Sequence, residues 1–371
     1  MFQKKIKSFV IIIFITCCVL IVPTLKFFSP FSLEKKNKSE QNIIKIIPTN
    51  TILEDAIKHL IGDVNPEENK EYKKIEIFFC KPSLMGIGID PHNYKTKLSD
   101  RIEIKEADLV VANGLHLEAK MIEALEILKE NNKLWKAGEE SLEEKDKIKE
   151  KEESKDCDPH IWFDIDLWKK VIFKLNEKLK KMISEKNCKD LEYLEKYLEN
   201  NYNLFIRSLN DLRENIIERM TNLKKKIKEQ GNKLIIVTAH DAFSYWENFL
   251  IKQNQDCSFI LKPIQGISTQ TEANMKNIIE LAKEIADNNV KAIFTESSMP
   301  KDSLKSLKEE IDKLRKKRGL SDIIIPQDEE LYSDSLGTKN KSENLKNYNY
   351  KHSTYIGAFL NNIKVIERFL S

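Results

Sequence analysis

Histidine is the residue type to weigh first, because a neutral imidazole is a common metal ligand and the ring titrates near neutral pH. The chain has six: His59, His92, His116, His160, His240 and His352. Two of them end the same tripeptide, Asp90-Pro91-His92 and Asp158-Pro159-His160. Proline fixes its φ and removes a backbone donor, so each tripeptide reads as a rigid loop presenting an imidazole. His240 follows a β-branched run in Thr238-Ala239-His240-Asp241-Ala242-Phe243, and Asp334 lies in Tyr332-Ser333-Asp334-Ser335-Leu336-Gly337. Ligands of open α/β sheets bind beyond the carboxyl ends of strands, where both segments would fall. Three imidazoles and a carboxylate suit Zn2+ and can hold Mn2+. Taken singly, a histidine after a strand is more often a surface or core residue than a ligand. The repeated tripeptide brings the two readings level. Spacing adds nothing further, because the four residues come from distant segments rather than from one HExxH-type helix.

Composition narrows the classes. The 371 residues, 41% hydrophobic, suffice for one large or two ordinary domains. Lys+Arg at 62 nearly balance Asp+Glu at 59, without the basic excess of a nucleic-acid binder. Glycine is scarce at 10 residues, and no phosphate-binding glycine loop is present. Lys4, Lys5 and Lys7 precede the uncharged run Phe9–Leu25, so residues 1–28 read as a signal peptide or membrane anchor. Without the four lysines of that segment, the remainder carries a formal charge of −1. Lipidation of Cys17 or Cys18, cleavage, and an uncleaved anchor all stay open. Cys80, Cys157, Cys188 and Cys257 form no CxxC, and a disulfide among them cannot be assigned from sequence.

The elements that must position the histidines follow from periodicity. Strand-like runs occur at Ile43–Ile47, Ile75–Phe79, Leu109–Ala112, Leu234–Val237, Ala292–Phe294 and Ile323–Ile325, with helical patterns such as Lys120–Asn131 and Met275–Ala286 between them. Alternating strands and helices predict α/β architecture with mainly parallel sheets. Leu191, Leu194, Leu198, Phe205, Leu209, Leu212, Ile216, Met220 and Leu223 make one long apolar stripe, predicting a helix that joins two lobes. The expected organisation is a polar linker at 29–43, an N-terminal lobe at 44–188, a linking helix at 189–226 and a C-terminal lobe at 227–371. Residues 139–156 are charged at fourteen of eighteen positions and read as a solvated, mobile loop without histidine.

Several ordered blocks carry a family resemblance. Residues 84–94 (LMGIGIDPHNY), 107–118 (ADLVVANGLHLE), 158–164 (DPHIWFD), 238–243 (TAHDAF), 265–269 (QGIST), 296–300 (ESSMP) and 332–337 (YSDSLG) resemble the metal-binding proteins of bacterial ABC importers, in the TroA/ZnuA-like zinc/manganese group. The similarity runs from about residue 44 to the C-terminus. It implies two α/β lobes joined by a long helix. It also implies His92 and His160 as N-lobe ligands and His240 and Asp334 as C-lobe ligands. Some relatives have glutamate where His240 stands; histidine tilts the site toward Zn2+, with Mn2+ second. His-rich segments of zinc-specific relatives fall where the histidine-free loop 139–156 stands, which weakens zinc specificity. His116 matches a position outside the ligand set, His59 reads as a surface residue, and His352 has no matched role. Asn361-Asn362 falls where relatives often have His-Asn. Asp164, Asp241 and Glu296 are candidate acceptors for imidazole N–H groups, with a helix cap or surface carboxylate as the default.

The resulting expectation is an extracytoplasmic, monomeric, non-enzymatic solute-binding protein that captures Zn2+ or Mn2+ and delivers it to an ABC permease and its ATPase. No nucleic-acid partner is expected, and tethering through the N-terminus stays open. Surface adhesion on the same scaffold is the alternative. A zinc hydrolase, with Glu296 as its one nameable general base, is the weaker one.

Overall fold

Apolar, β-branched runs form short parallel strands that direct their carboxyl ends toward a common edge. The computed structural model describes residues 43–371 apart from 65–69, 130, 150–155, 187, 189, 268 and 270–274. The expected export segment 1–28, with Cys17 and Cys18, and nearly all of the 29–43 linker lie outside the described residues. The N-terminal half runs β1 (Ile44–Pro48), α1 (Thr51–Ile61), β2 (Phe78–Cys80), α2 (Leu98–Glu106), β3 (Leu109–Ala112), α3 (Ile122–Lys129), β4 (Leu134–Lys136) and α4 (Ala137–Ser141). Its four strands pair in the order β2-β1-β3-β4, all parallel. Both faces are buried, as parallel sheets require. Ile44, Ile46, Leu109 and Val111 enter the main core, while Ile47, Val110 and Ala112 pack with Met85, Ile104 and Leu125 on the other face.

Side-chain caps set where helices begin. Asn50 Oδ1 accepts the Leu53 N–H (2.9 Å) to start α1, and Asp164 Oδ1 accepts Asp166 N (3.0 Å) and Leu167 N (3.1 Å) to start α5 (Ile165–Glu185). Next comes α6 (Leu191–Glu229), 39 residues long, about 60 Å at the usual helical rise. The apolar stripe is its buried face, from Leu198 through Phe205, Leu212 and Met220 to Ile227. It packs against α1 and α5 from the N-terminal half and against the last helix and the Gln255–Cys257 turn from the C-terminal half. Asn201, fully buried on α6, staples the N-terminal half to it by donating to Leu60 O (3.0 Å) and Lys73 O (2.9 Å) and accepting from Lys73 N (3.0 Å).

The C-terminal half runs β5 (Ile235–Thr238), α7 (Ser244–Gln253), β6 (Ile260–Pro263), α8 (Met275–Asp287), α9 (Asp302–Lys317), β7 (Ser342–Leu345), β8 (Tyr348–Lys351) and α10 (Tyr355–Leu370). β5 and β6 are parallel, and Phe294 N donates to Val237 O (2.9 Å), laying the 292–296 segment along the other side of β5. The mixed α/β architecture with a long connecting helix agrees with the expectation. Among the described residues, no helix is long and apolar enough to cross a membrane.

Several local expectations are corrected. Ala292–Phe294 and Ile323–Ile325 are not strands but meet in one bridge, Ala292 with Ile324; a second bridge joins Glu296 to Leu331. Pro326 directly follows and offers no donor to continue the ladder. The β7–β8 hairpin was not anticipated, because its Lys/Asn-rich sequence lacks an alternating apolar face. The described part of 139–156 is ordered: α4 covers its start, Leu142 is buried, and Ile148 N donates to Tyr245 Oη (3.0 Å). Two apolar residues thus anchor a run that its charge made look solvated. His59 is not on the surface either. It belongs to α1 and faces α6, 3% exposed, stacked on Phe205 at 4.1 Å between ring centroids, with Nδ1 donating to Asp55 O (2.9 Å). The four cysteines among the described residues are all free thiols.

Truncating Phe205 would empty the contact between α6 and α1. Phe205→Ala should lower unfolding stability by about 3–5 kcal/mol, read as a fall in the urea midpoint at unchanged m-value.

Candidate metal centre

His92, His240 and Asp334 follow the carboxyl end of a strand or bridge, and His160 is tied to the end of another. The loop after β2 folds over the end of β1 through Leu84 N to Pro48 O (3.1 Å) and Met85 N to Thr49 O (2.9 Å), and then delivers His92. Asn113, just past β3, donates through Nδ2 to Pro159 O (2.9 Å) and fixes the second Asp-Pro-His. His240 stands two residues past β5, and Asp334 stands three past the Leu331 bridge. Both tripeptides make the same turn: Asp90 Oδ1 accepts His92 N at 2.9 Å, and Asp158 Oδ1 accepts His160 N at 2.9 Å. The sheet edges therefore converge four distant segments on one point.

The four side chains are brought together and closed off from solvent. One ligand atom from each of His92, His160, His240 and Asp334 lies within 4.8 Å of the others, and all four residues are buried. His160 Nε2 is 3.3 Å from His92 Nε2 and 3.4 Å from His240 Nε2. Asp334 Oδ1 lies 3.2 Å from His160 Nε2, and Oδ2 lies 3.4 Å from His240 Nε2. Ligands at the usual Zn–N distance on a tetrahedron sit about 3.3 Å apart, so these separations fit one ion. His116 is away from the cluster, exposed, and pairs with Asp156 (3.5 Å). His352 is buried against Tyr332 and Glu343, with Nδ1 3.1 Å from the Tyr332 hydroxyl.

Outer carboxylates hold two of the rings. Asp158 Oδ1 accepts from His160 Nδ1 at 2.7 Å, and Glu296 Oε2 contacts His240 Nδ1 at 2.7 Å. Such partners fix the tautomer and aim Nε2 at the ion. Glu296 also takes the backbone N–H groups of Ala239 (2.8 Å) and His240 (3.0 Å) on Oε1. A carboxylate so occupied is badly placed to activate water, which removes the one general base of the hydrolase reading. Of the other two candidate acceptors, Asp164 is the α5 cap and Asp241 takes the Ser244 hydroxyl (2.6 Å); neither meets an imidazole. Asp158 was missed in this role, although its place two residues before His160 was the available signal. Ser298, which donates to Asp334 Oδ2 (3.2 Å), had no signal in sequence.

Charge inside the cluster is set by burial against these carboxylates. Burial, opposed by Asp334 but reinforced by the other two imidazoles, pushes His92 down to about 3. Burial also disfavours charge on His160, but Asp158 and Asp334 override it and raise that ring to about 9. For His240 the same burial is overcome by Glu296 and Asp334, which lift it well above the ordinary imidazole value. Asp334, despite its own burial, is held well below the carboxylate range by His240 and His160. Metal ligation needs neutral rings. A divalent ion entering between His160 and His240 would displace their two protons and leave the buried charge unchanged.

The family described as "Zinc-uptake complex component A periplasmic" matches residues 79–369. The chain is 29% identical over 353 residues to the zinc-binding protein TroA of Treponema pallidum, across 95% of this chain and 96% of that protein. It is 28% identical over 347 residues to the manganese-binding lipoprotein MntA of Bacillus subtilis, across 91% and 93%. The solved structure of periplasmic zinc-binding TroA from Treponema pallidum aligns with a TM-score of 0.67 at 27% identity, covering 89% of this chain and 99% of that one.

Calorimetric titration with Zn2+ at pH 7, in buffers of differing ionisation enthalpy, should report about two protons released per ion. Because protons compete for His160, affinity should climb as pH rises toward about 9; a proton count near zero at pH 7 would contradict this charge balance.

Proposed function

The chain belongs to the periplasmic zinc-uptake component A family, and on that premise we propose that it is the extracytoplasmic solute-binding component of a metal ABC importer. The observation that carries this reading is the convergence of His92, His160, His240 and Asp334 from four separate segments into one buried cluster. Two ligands come from each half, so a bound ion would bridge lobes spanning 44–188 and 227–371. Four protein ligands close a zinc shell, whereas a catalytic site keeps a position open for water. We therefore assign the four residues to capture and release of the ion itself, with no catalytic role.

Zinc is the preferred cargo. Three nitrogens favour it over manganese in the Irving–Williams order, and the ligand separations support a tetrahedral shell. Manganese is second, supported by the MntA likeness and by Asp334, whose two oxygens face different imidazoles and can raise the coordination number. The partners are a membrane permease and its ATPase, which the monomeric protein would meet outside the cytoplasmic membrane, held there through its N-terminal segment. Since α6 packs against both halves, the reading expects release through small loop displacements rather than wide opening.

Replacing any one ligand should cost more affinity than the roughly 10–100-fold typical of an outer partner. His92→Ala and Asp334→Ala, titrated with Zn2+ against a chromophoric chelator, are the direct tests; unchanged one-site binding in either refutes the ligand set. Zn2+ at a free concentration 100 times Kd should stabilise the wild-type chain by about 2.7 kcal/mol, and Asp334→Ala should forfeit most of that gain in the unfolding midpoint. Elemental analysis of protein from its own host, with competitive Zn2+/Mn2+ titration, decides the cargo.

A further inference from the structure

Asp334 depends on a segment whose two edges are held by unlike partners. On one edge, Leu331 N donates to Thr295 O (2.9 Å) and Ser297 N donates to Leu331 O (3.0 Å), a parallel bridge to the stretch that carries Glu296. On the other edge the partner is a side chain. Asn362 lies within α10, only 1% exposed. Its Oδ1 accepts Tyr332 N at 2.8 Å, and its Nδ2 donates to Tyr332 O at 2.8 Å. A carboxamide offers the same donor and acceptor pair as a peptide group, so Asn362 completes this edge as a neighbouring strand would. One residue earlier on α10, Asn361 Nδ2 donates to Glu330 O (3.2 Å).

Asparagine is a poor choice for a buried helical position, because its polar head must be desolvated and it favours non-helical backbone. Here both polar atoms are satisfied by one residue, Tyr332, which stands two positions before Asp334. We infer that Asn362 is a positioning residue for Asp334, fixing the backbone from which the carboxylate reaches His160 and His240 and so setting the affinity for the ion. This rests on Asp334 being a ligand, as proposed above. Among the described residues, Asn362 hydrogen-bonds to neither the imidazoles nor the carboxylate; its effect passes through the Tyr332 peptide.

A double-mutant cycle on the full chain, read as Zn2+ affinity by chelator competition, tests the inference. Asn362→Ala should weaken binding by about 10–100-fold. Added to Asp334→Ala, it should cost nothing more, because the group it positions is gone. Asn362→Ser, a neutral residue whose shorter hydroxyl can keep only part of the pairing, should fall between wild type and Asn362→Ala and serves if the alanine variant fails to fold. Lys364→Ala, an exposed change on the same helix whose ammonium bonds Glu343 rather than the segment leading to Asp334, should bind within about two-fold of wild type. An Asn362→Ala or Asn362→Ser affinity equal to wild type, a full additive loss in the double variant, or an equal loss in Lys364→Ala would each overturn the positioning role. Wild-type binding by Asp334→Ala alone would instead overturn the ligand assignment beneath it.

Discussion

Three carboxylates with almost no solvent contact, Asp158, Glu296 and Asp334, stand around three buried imidazoles. Buried anions are tolerable only when paired, and the rest of the site follows from that need. Asp158 and Glu296 charge or orient the two rings they touch, and Asp334 faces both rings from the other side. The positive charge they demand can come as two protons or as one divalent ion. One divalent ion would supply the charge of two such protons.

Parallel strands provide the convergence. Their carboxyl ends share an edge, so loops that leave different strands arrive at one place without long connections. The two Asp-Pro-His turns show how one local geometry serves unlike purposes. Asp158 turns the oxygen that takes the His160 backbone onto its ring as well, whereas Asp90 sends its second oxygen to Asn93 (2.9 Å) and to Thr269 (2.8 Å) of the opposite half. The same tripeptide thus orients an imidazole of the cluster in one loop and ties the halves together in the other.

Local chemistry was legible in sequence, and long-range pairing was not. Leu109–Ala112 has the bounds expected of it, and the apolar stripe of α6 was read correctly because a 3.6-residue period needs no tertiary context. His92, His160, His240 and Asp334 could be singled out from a repeated tripeptide, their place after strands and a family likeness. Their meeting at one point depends on register, which one chain does not spell out. His59 looked exposed because nothing local announces that α1 is covered on a second side by Phe205. The single-residue bridges at Ala292 and Glu296 were invisible for the same reason, since each needs a partner from another segment. Asn362 was noticed only as half of a pair, and its bonds to Tyr332 cross 30 residues.

The shared helix has a consequence for how this molecule can be divided. The stripe from Leu198 to Ile227 is core for both halves at once. Separating the N-terminal half from the C-terminal half would leave part of that stripe facing water, inviting self-association of whichever fragment kept it. The two halves are lobes in shape only. Neither half has a core of its own that is complete without this helix.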